Sequence, residues 1–468
     1  MANPSEALSV DDLFDPALLH KYDLNGPRYT SYPTAPQFHD RFGAAEYRQA
    51  IAQSPQSGQP LSLYMHLPFC DTVCFYCACN KVITRNRART RPYLERLYRE
   101  IAAQAALFDG TRRPIAQLHW GGGTPTFLSH DEMSELMAVT GDHFQLLGDD
   151  QGEYSIEVDP REASPDTIAL LRELGFNRLS VGVQDFDPQV QQAVNRIQPR
   201  AVTEATVNAA RQTGFRSISL DLIYGLPHQS VASFSRTLDA VLELAPDRLS
   251  VFNYAHLPQF FKMQQQIDES ALPGPAEKLA ILKTSIERLG EAGYVYIGMD
   301  HFARPDDELA QAQVNRTLYR NFQGYSTHAD CDLIGLGVSA IGKIGNFYAQ
   351  NLKVLPDYQN AIDAEGLAVT RGIMLNDDDL LRRAVINQLM CHFELPLGPL
   401  QTQFGIDPAN YFSDEFERLR AFEADGLLAI EPDRLRVLPA GRLLVRNICM
   451  VFDRYLTAQP AQRFSKTL

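Results

Sequence analysis

The stretch from Tyr64 to Cys79 carries Cys70, Cys74, Cys77 and Cys79, so four of the chain's seven cysteines fall within ten residues. Thiolates this close together can wrap a single soft metal centre from one short loop. Cys70, Cys74 and Cys77 follow a C-x3-C-x2-C spacing, with Phe75 and Tyr76 between the last two. A cubane iron–sulfur cluster has four irons, so three thiolates leave one iron without a protein ligand. That iron can bind and reduce a substrate, whereas a fully ligated cluster mainly passes electrons. Structural zinc also uses clustered cysteines, but it usually draws two ligand pairs from separated knuckles. Cys331, Cys391 and Cys449 stand alone and supply no second pair. A disulfide framework is not needed in a chain with room for a large core. Cys79 is a spare ligand or a thiol behind the ligands, and spacing alone does not choose between them.

Composition narrows the class. A chain of 468 residues, 45% of them hydrophobic, suggests two or three globular domains. The N-terminus lacks a basic stretch followed by an apolar run, so no secretory signal is read. No uninterrupted apolar stretch approaches the ~20 residues that span a bilayer. Clustered cysteines that must stay reduced then suit the cytoplasm, with no membrane partner. The formal charge of −14 argues against nonspecific nucleic-acid binding. It also means that an anionic substrate needs a local basic pocket.

Residues 1–60 read as an N-terminal extension. The run from Gly26 to Thr34 contains Pro27 and Pro33, which favour extended backbone, and Tyr29 and Tyr32, which offer large packing faces. A bare linker would be polar, so this segment is expected to lie against the body. From about 61 to 300, short apolar runs alternate with helical patterns. Strands are predicted at 61–66, 115–119, 154–158, 178–183, 218–223 and 248–252, with helices between them, including 93–107 and 165–174. Such alternation predicts an α/β fold with a parallel sheet, closed or partly closed as a barrel. In such folds chemistry sits at the C-terminal ends of strands. Every motif found here sits there too.

The strand at 115–119 runs into Trp120, three consecutive glycines, Gly121 to Gly123, and Thr124. Such a turn exposes backbone for close approach to a ligand, although a tight strand-to-helix turn with no ligand would use the same residues. Glu157 and Asp159, Gln184 and Asp185, Asp221 and Tyr254 recur in or just beyond later strands. Helix caps and turn formers would also sit there. Their recurrence beside a cysteine loop reads better as a ring of ligand contacts.

With these motifs assembled, the chain resembles the oxygen-independent coproporphyrinogen III oxidases, a family of radical S-adenosylmethionine enzymes. The resemblance runs nearly end to end. It rests on the segments 26–34, 70–79, 120–126, 156–161, 182–186, 221–227, 251–258, 298–303 and 445–450. It implies a partial (β/α) barrel of radical S-adenosylmethionine type over 61–375, with the N-terminal extension packed on it. Residues 376–468 would form a mainly helical, winged-helix-like lid domain. The implied activity is oxygen-independent conversion of coproporphyrinogen III to protoporphyrinogen IX, in which two propionates lose carbon dioxide and become vinyl groups. A 4Fe–4S cluster on Cys70, Cys74 and Cys77 would reduce S-adenosylmethionine to a 5′-deoxyadenosyl radical that abstracts a propionate β-hydrogen.

The resemblance also implies two S-adenosylmethionine molecules. Tyr64, Gly122, Glu157 and Ile341 match the positions that contact the one on the cluster. Tyr76, Gly123, Thr124, Gln184, Arg196, Asp221 and Ala255 match those of the second, with Tyr76 standing where the family has Phe. Cys79 is expected to be needed for turnover, and Arg28 is the candidate for gripping a substrate propionate. An anchoring role for Arg28 is the competing reading. An unidentified electron donor and a monomeric state complete the expectation.

In the C-terminal region, helices are predicted at 377–393 and 413–426, a hairpin at 426–437 and a last helix at 441–455. Helix, helix and hairpin resemble a winged helix, but acidic helix faces argue against DNA and for a lid or packing role. A haem chaperone or a radical methylase on the same scaffold is the alternative. Against the chaperone, the region 319–325 lacks the His-Asn-x-x-Tyr pattern of those relatives.

Overall fold

The computed structural model describes residues 10–54, 58–108, 113–329, 331–456 and 466. The chain forms two compact units, one of residues 1–37, 275–329 and 375–468, the other of 38–274 and 330–374.

The second unit is a partial (β/α) barrel. Its strands are β1 (Leu61–Leu67), β2 (Pro114–Gly122), β3 (Glu153–Val158), β4 (Arg178–Gln184), β5 (Ser217–Tyr224), β6 (Arg248–Asn253) and β7 (Asp332–Leu336). They lie in the order β6-β5-β4-β3-β2-β1-β7, each pair parallel. A helix follows each of the first five strands: α1 (Thr90–Leu107), α2 (His130–His143), α3 (Pro165–Glu173), α4 (Arg200–Thr213) and α5 (Val231–Leu244). Five successive crossovers therefore place sequential strands side by side, and all strand C-termini open on one edge. Beyond β7 the sheet continues antiparallel through Ile341–Ile344, Phe347–Asn351 and Val369–Met374.

Local chemistry sets these boundaries. Ser129 caps α2 by accepting the Glu132 N–H, and the Glu132 side chain returns to the Ser129 N–H. Ser164 caps α3, whose first residue is Pro165. Strand β1 is buried at every position but Tyr64, as a central strand covered on both faces must be.

In the other unit, Tyr29 and Tyr32 are buried in one core with Val385, Leu389, Ile448 and Phe452. The Tyr29 hydroxyl donates to Asp453, and the Arg454 N–H donates to the Tyr32 hydroxyl. The helices Asp377–His392 and Ser413–Ala424 and the pairing of Leu428–Ile430 with Arg434–Val437 are where the sequence predicts them. The last helix is shorter than expected, Val445–Val451 rather than 441–455. Its start is taken by a tight turn at Pro439–Gly441, and beyond Val451 Asp453 diverts the chain by accepting the Tyr455 N–H. A third strand, Glu394–Pro396, and the helix Leu397–Phe404 were not anticipated, because three residues ending in proline carry no readable alternation.

Glu100 on α1 is fully buried in the barrel unit. It accepts from the Gly337 N–H, the Asn351 amide and the Tyr358 hydroxyl at 2.7, 2.6 and 2.7 Å. Burial raises its pKa to about 7, against the opposing pull of those donors. A carboxyl whose folded pKa lies above its unfolded one stabilises most below about pH 4.5, and that contribution is lost as pH rises through about 7. Urea unfolding should therefore show stability falling by on the order of 3 kcal/mol between pH 4.5 and 7.5 relative to Glu100→Gln. Parallel pH profiles for the two proteins would refute the assignment.

Candidate active site

The cysteine loop leaves β1 through Pro68 and is tied at both ends. The segments Phe69–Cys70 and Val82–Ile83 pair in parallel, with the Val82 N–H on the Pro68 carbonyl at 2.7 Å and the Thr84 N–H on the Cys70 carbonyl at 2.9 Å. Between these ties, the Phe75 N–H bonds the Val194 carbonyl, and the Asn195 amide donates to the Val73 carbonyl at 2.7 Å. The Lys81 ammonium donates to the carbonyls of Cys77 and Cys79 at 2.8 and 3.4 Å. The loop is thus held by its neighbours rather than by regular structure of its own.

The glycine turn packs directly on this loop. The Gly123 N–H bonds the Leu67 carbonyl at 2.9 Å, and the Thr124 N–H bonds the Phe69 carbonyl at 2.7 Å. A Cβ on Gly123 would lie 2.6 Å from the Pro68 carbonyl carbon, too close for any side chain. Gly122 has φ +113°, a conformation open to glycine, and its N–H donates to Glu157 Oε2 at 3.0 Å. Glu157 Oε1 lies 3.3 Å from His119 Nε2, and the His119 ring stacks on Tyr64 at 5.8 Å. The Tyr64 hydroxyl meets His66 Nδ1 at 3.0 Å.

All four loop cysteines line one cleft, with Tyr76, Lys81, Gly122, Gly123, Thr124, Glu157, Gln184, Arg196 and Asp221. It encloses about 740 Å³, solvent at its mouth included. Positive charge surrounds the sulfurs. Arg161 Nη2 and Arg196 Nη1 point at Cys74 Sγ from 3.7 and 3.6 Å, and both bond Asp159, at 2.7 and 2.9 Å. Burial would raise the Asp159 pKa, but these two guanidinium groups hold it below the usual range. The hydrogen bond from Cys79 lowers Cys77 to about 6, with Lys81 helping and burial opposing. Cys70 goes the other way, pushed up to about 11 by burial despite a hydrogen bond from Thr124. Burial also raises Asp221 to about 6, opposed by hydrogen bonds from Ser180 and Ser250.

Three of the residues expected to bind cofactor are not in the cleft lining. Tyr64 sits on β1 opposite Gly335 of β7, and the backbone of Ile341 packs against that glycine. Ala255 lies beyond β6, where Gln264 donates to its carbonyl and to that of Tyr76 at 3.3 and 3.0 Å. Arg28 belongs to the other unit, where it pairs with Asp300 at 2.5 Å. Lys81, Arg161 and Ser180 line the cleft without having been singled out. Arg161 ends the 156–161 segment, yet nothing in its spacing says that it faces Cys74.

The donors fit an iron–sulfur cluster. Among the described residues no three His, Cys, Asp or Glu side chains converge on a point as a single metal ion requires. A cubane instead binds each cysteine at a different corner. The site also leaves buried polar atoms without protein partners, Gln184 Oε1 and Arg196 Nε. Gln184 is moreover held at φ +67°, a strained conformation for a side-chain-bearing residue and one that favours functional positions. Unsatisfied polar groups in a cleft suit a polar ligand such as S-adenosylmethionine.

An open parallel barrel with a three-cysteine loop at its strand ends and a glycine turn beneath it defines a radical S-adenosylmethionine protein. Accordingly, the Radical SAM superfamily model matches residues 64–241, and the HemN C-terminal domain model matches 375–444. The oxygen-independent coproporphyrinogen III oxidase of Pseudomonas aeruginosa is 55% identical over 97% of this chain and 99% of its own. That of Escherichia coli is 50% identical over 98% of this chain and all of its own. The solved structure of the Escherichia coli coproporphyrinogen III oxidase (HemN), described as a radical SAM enzyme, superposes with a TM-score of 0.90 at 49% identity. It covers 95% of this chain and 100% of that one. The chain belongs to the oxygen-independent coproporphyrinogen III oxidase family.

Gly123→Ala should displace Pro68 and Phe69, and with them Cys70. The folded variant is expected to bind under half the iron of the wild type after anaerobic reconstitution, measured by iron content and the cluster's visible absorbance. Normal loading would show that the turn does not position the loop.

Proposed function

We propose that the protein catalyses the oxygen-independent oxidative decarboxylation of two propionate side chains of coproporphyrinogen III, giving protoporphyrinogen IX in haem biosynthesis. The observation that carries this reading is the convergence of Cys70, Cys74 and Cys77 on one cleft with the glycine turn and Glu157, in a chain matching its relatives end to end. When bound, a 4Fe–4S cluster supplies one electron to S-adenosylmethionine and so gives access to 5′-deoxyadenosyl radical chemistry at a propionate β-carbon.

The chain's own residues hold and shield. Cys70, Cys74 and Cys77 are the cluster ligands, and Arg161, Arg196 and Lys81 offset the charge that thiolates bring into the site. The S-adenosylmethionine nearest the cluster is assigned to Tyr64, Gly122, Glu157 and Ile341, of which Gly122 and Glu157 line the cleft. Glu157 is an ionised acceptor suited to that molecule's ammonium group, because burial is outweighed by His119 and the Gly122 N–H. A second S-adenosylmethionine is assigned to Tyr76, Gly123, Thr124, Gln184, Arg196, Asp221 and Ala255. The unpartnered Gln184 Oε1 and Arg196 Nε support this. Cys79, hydrogen-bonded to Cys77, tunes that thiolate and acts in turnover rather than in cluster binding.

Residues 376–468 are assigned to a packing or lid domain; of the 1–60 extension expected on the barrel, residues 1–37 group with that domain instead and 38–60 with the barrel unit. The protein is taken as a cytoplasmic monomer served by an unidentified electron donor. Among the described residues no helix is long and apolar enough to cross a membrane.

Reconstituted anaerobically with reductant and S-adenosylmethionine, the protein should convert coproporphyrinogen III to protoporphyrinogen IX with release of carbon dioxide. Haem binding without turnover would sink the proposal. Serine at position 70, 74 or 77 should abolish S-adenosylmethionine cleavage, and a Cys74→Ser protein that keeps full cluster absorbance and cleavage would overturn the ligand assignment. Cys79→Ser should retain the cluster signal while losing at least tenfold in porphyrinogen turnover, and an unchanged rate would remove Cys79 from the reaction.

A further inference from the structure

Cys74 differs from Cys70 in what meets its sulfur. Arg161 Nη2 and Arg196 Nη1 approach Cys74 Sγ at 3.7 and 3.6 Å, whereas Cys70 Sγ meets the neutral Thr124 hydroxyl at 3.6 Å. Asp159 holds both guanidinium groups. Its Oδ2 accepts from Arg161 Nη2 at 2.7 Å and from Arg196 Nη1 at 2.9 Å, and its Oδ1 accepts from Arg161 Nε at 3.0 Å. Oδ1 also accepts the backbone N–H of Arg161, with Pro160 between the two residues, so the turn itself fixes the carboxylate. All of these groups belong to the barrel unit.

The two arginines are not equivalent. Arg196 also donates to the Gly182 carbonyl at 2.7 Å and so braces the end of β4. Among the described residues the Arg161 side chain bonds Asp159 and Cys74 alone, and it supports no other segment. Burial works against its charge, but Asp159 outweighs burial and keeps the guanidinium protonated. Hydrogen bonds to the sulfurs and nearby charge set the reduction potential of an iron–sulfur cluster, because reduction adds negative charge that such groups stabilise. In a partly buried cleft that stabilisation is screened less than it would be in water.

We propose that Arg161 is a positioning residue for electron entry: aimed by Asp159, it donates to Cys74 Sγ and raises the reduction potential of the cluster that this cysteine holds. The proposal rests on the cluster assignment made above and is independent of the porphyrinogen. The competing role, anchoring Asp159 in its turn, would leave the potential where it is. Because Arg161 braces nothing beyond that turn, its replacement separates tuning from scaffolding more cleanly than that of Arg196.

The test is a redox titration of the reconstituted full-length protein, followed by the electron paramagnetic resonance signal of the reduced cluster, with no porphyrinogen present. At the wild-type midpoint, Arg161→Gln should lower the reduced-to-oxidised ratio at least about tenfold, a drop of about 59 mV for a one-electron couple. Arg161→Lys keeps the charge without the planar fork and should lose only about threefold. The iron–cysteine stretching bands in the resonance Raman spectrum of Arg161→Gln should move to higher frequency as the N–H···S contact is lost. S-adenosylmethionine cleavage by that variant should be slow with a weak reductant and recover with a stronger one. An unmoved midpoint in cluster-loaded Arg161→Gln, a lysine variant no better than the glutamine one, or cleavage that a stronger reductant does not restore would each overturn the proposal. Should Arg161→Gln fail to load a cluster, Arg161→Lys carries the test, and a midpoint equal to that of the wild type would then overturn it. A wild-type protein with no reducible cluster would remove the cluster assignment and this proposal together. A normal cluster with an unmoved midpoint would remove only the role of Arg161.

Discussion

The barrel unit's chemistry depends on two backbone hydrogen bonds, from the Gly123 N–H to the Leu67 carbonyl and from the Thr124 N–H to the Phe69 carbonyl. A loop that presents three thiols to one cluster has too few residues to build regular structure. Its shape must come from whatever it touches. Here it touches the end of β2, and the absence of a Cβ at Gly123 lets the two segments approach closely enough for those bonds. The same turn sends the Gly122 N–H to Glu157, so one short segment fixes both the cysteine loop and the acidic group beside it.

Electrostatics is the second constraint. Thiolates brought together repel one another, and burial raises each pKa, as it does at Cys70. The fold answers with cations from three different places: Lys81 from the loop's far end, Arg161 from the segment after β3 and Arg196 from the segment after β4. Asp159 holds both guanidinium groups near Cys74, so a single carboxylate organises much of the positive charge around that sulfur. A parallel barrel makes this possible because every strand delivers its C-terminal residues to the same edge.

The other unit solves a different problem. Its N-terminal segment contributes Tyr29 and Tyr32 to a core whose other buried residues, on helices and short strands, lie more than 340 positions further along the chain. Two arginines of that unit are held by the same segment, Arg446 and Arg320 being bonded to carbonyls of residues 26–28.

Much of this was legible in the chain itself. The cysteine spacing implied a cluster with an open iron, the alternation of apolar runs implied a parallel barrel, and the triple glycine marked a close approach. These are local signals, set by a few neighbouring residues and by periodicities that do not depend on what lies opposite. The short strand Glu394–Pro396 and the truncated last helix were not legible, since three residues show no alternation and a helix end decided by Asp453 leaves little trace in propensity. Nor could spacing reveal that Arg161 and Arg196 meet at Cys74, or that Arg28 pairs with Asp300. Sequence alone determined which residues could do chemistry and on which kind of scaffold. Tertiary structure decided which charges face which sulfurs and carboxylates, because that depends on strand register and on segments hundreds of residues apart folding to the same place.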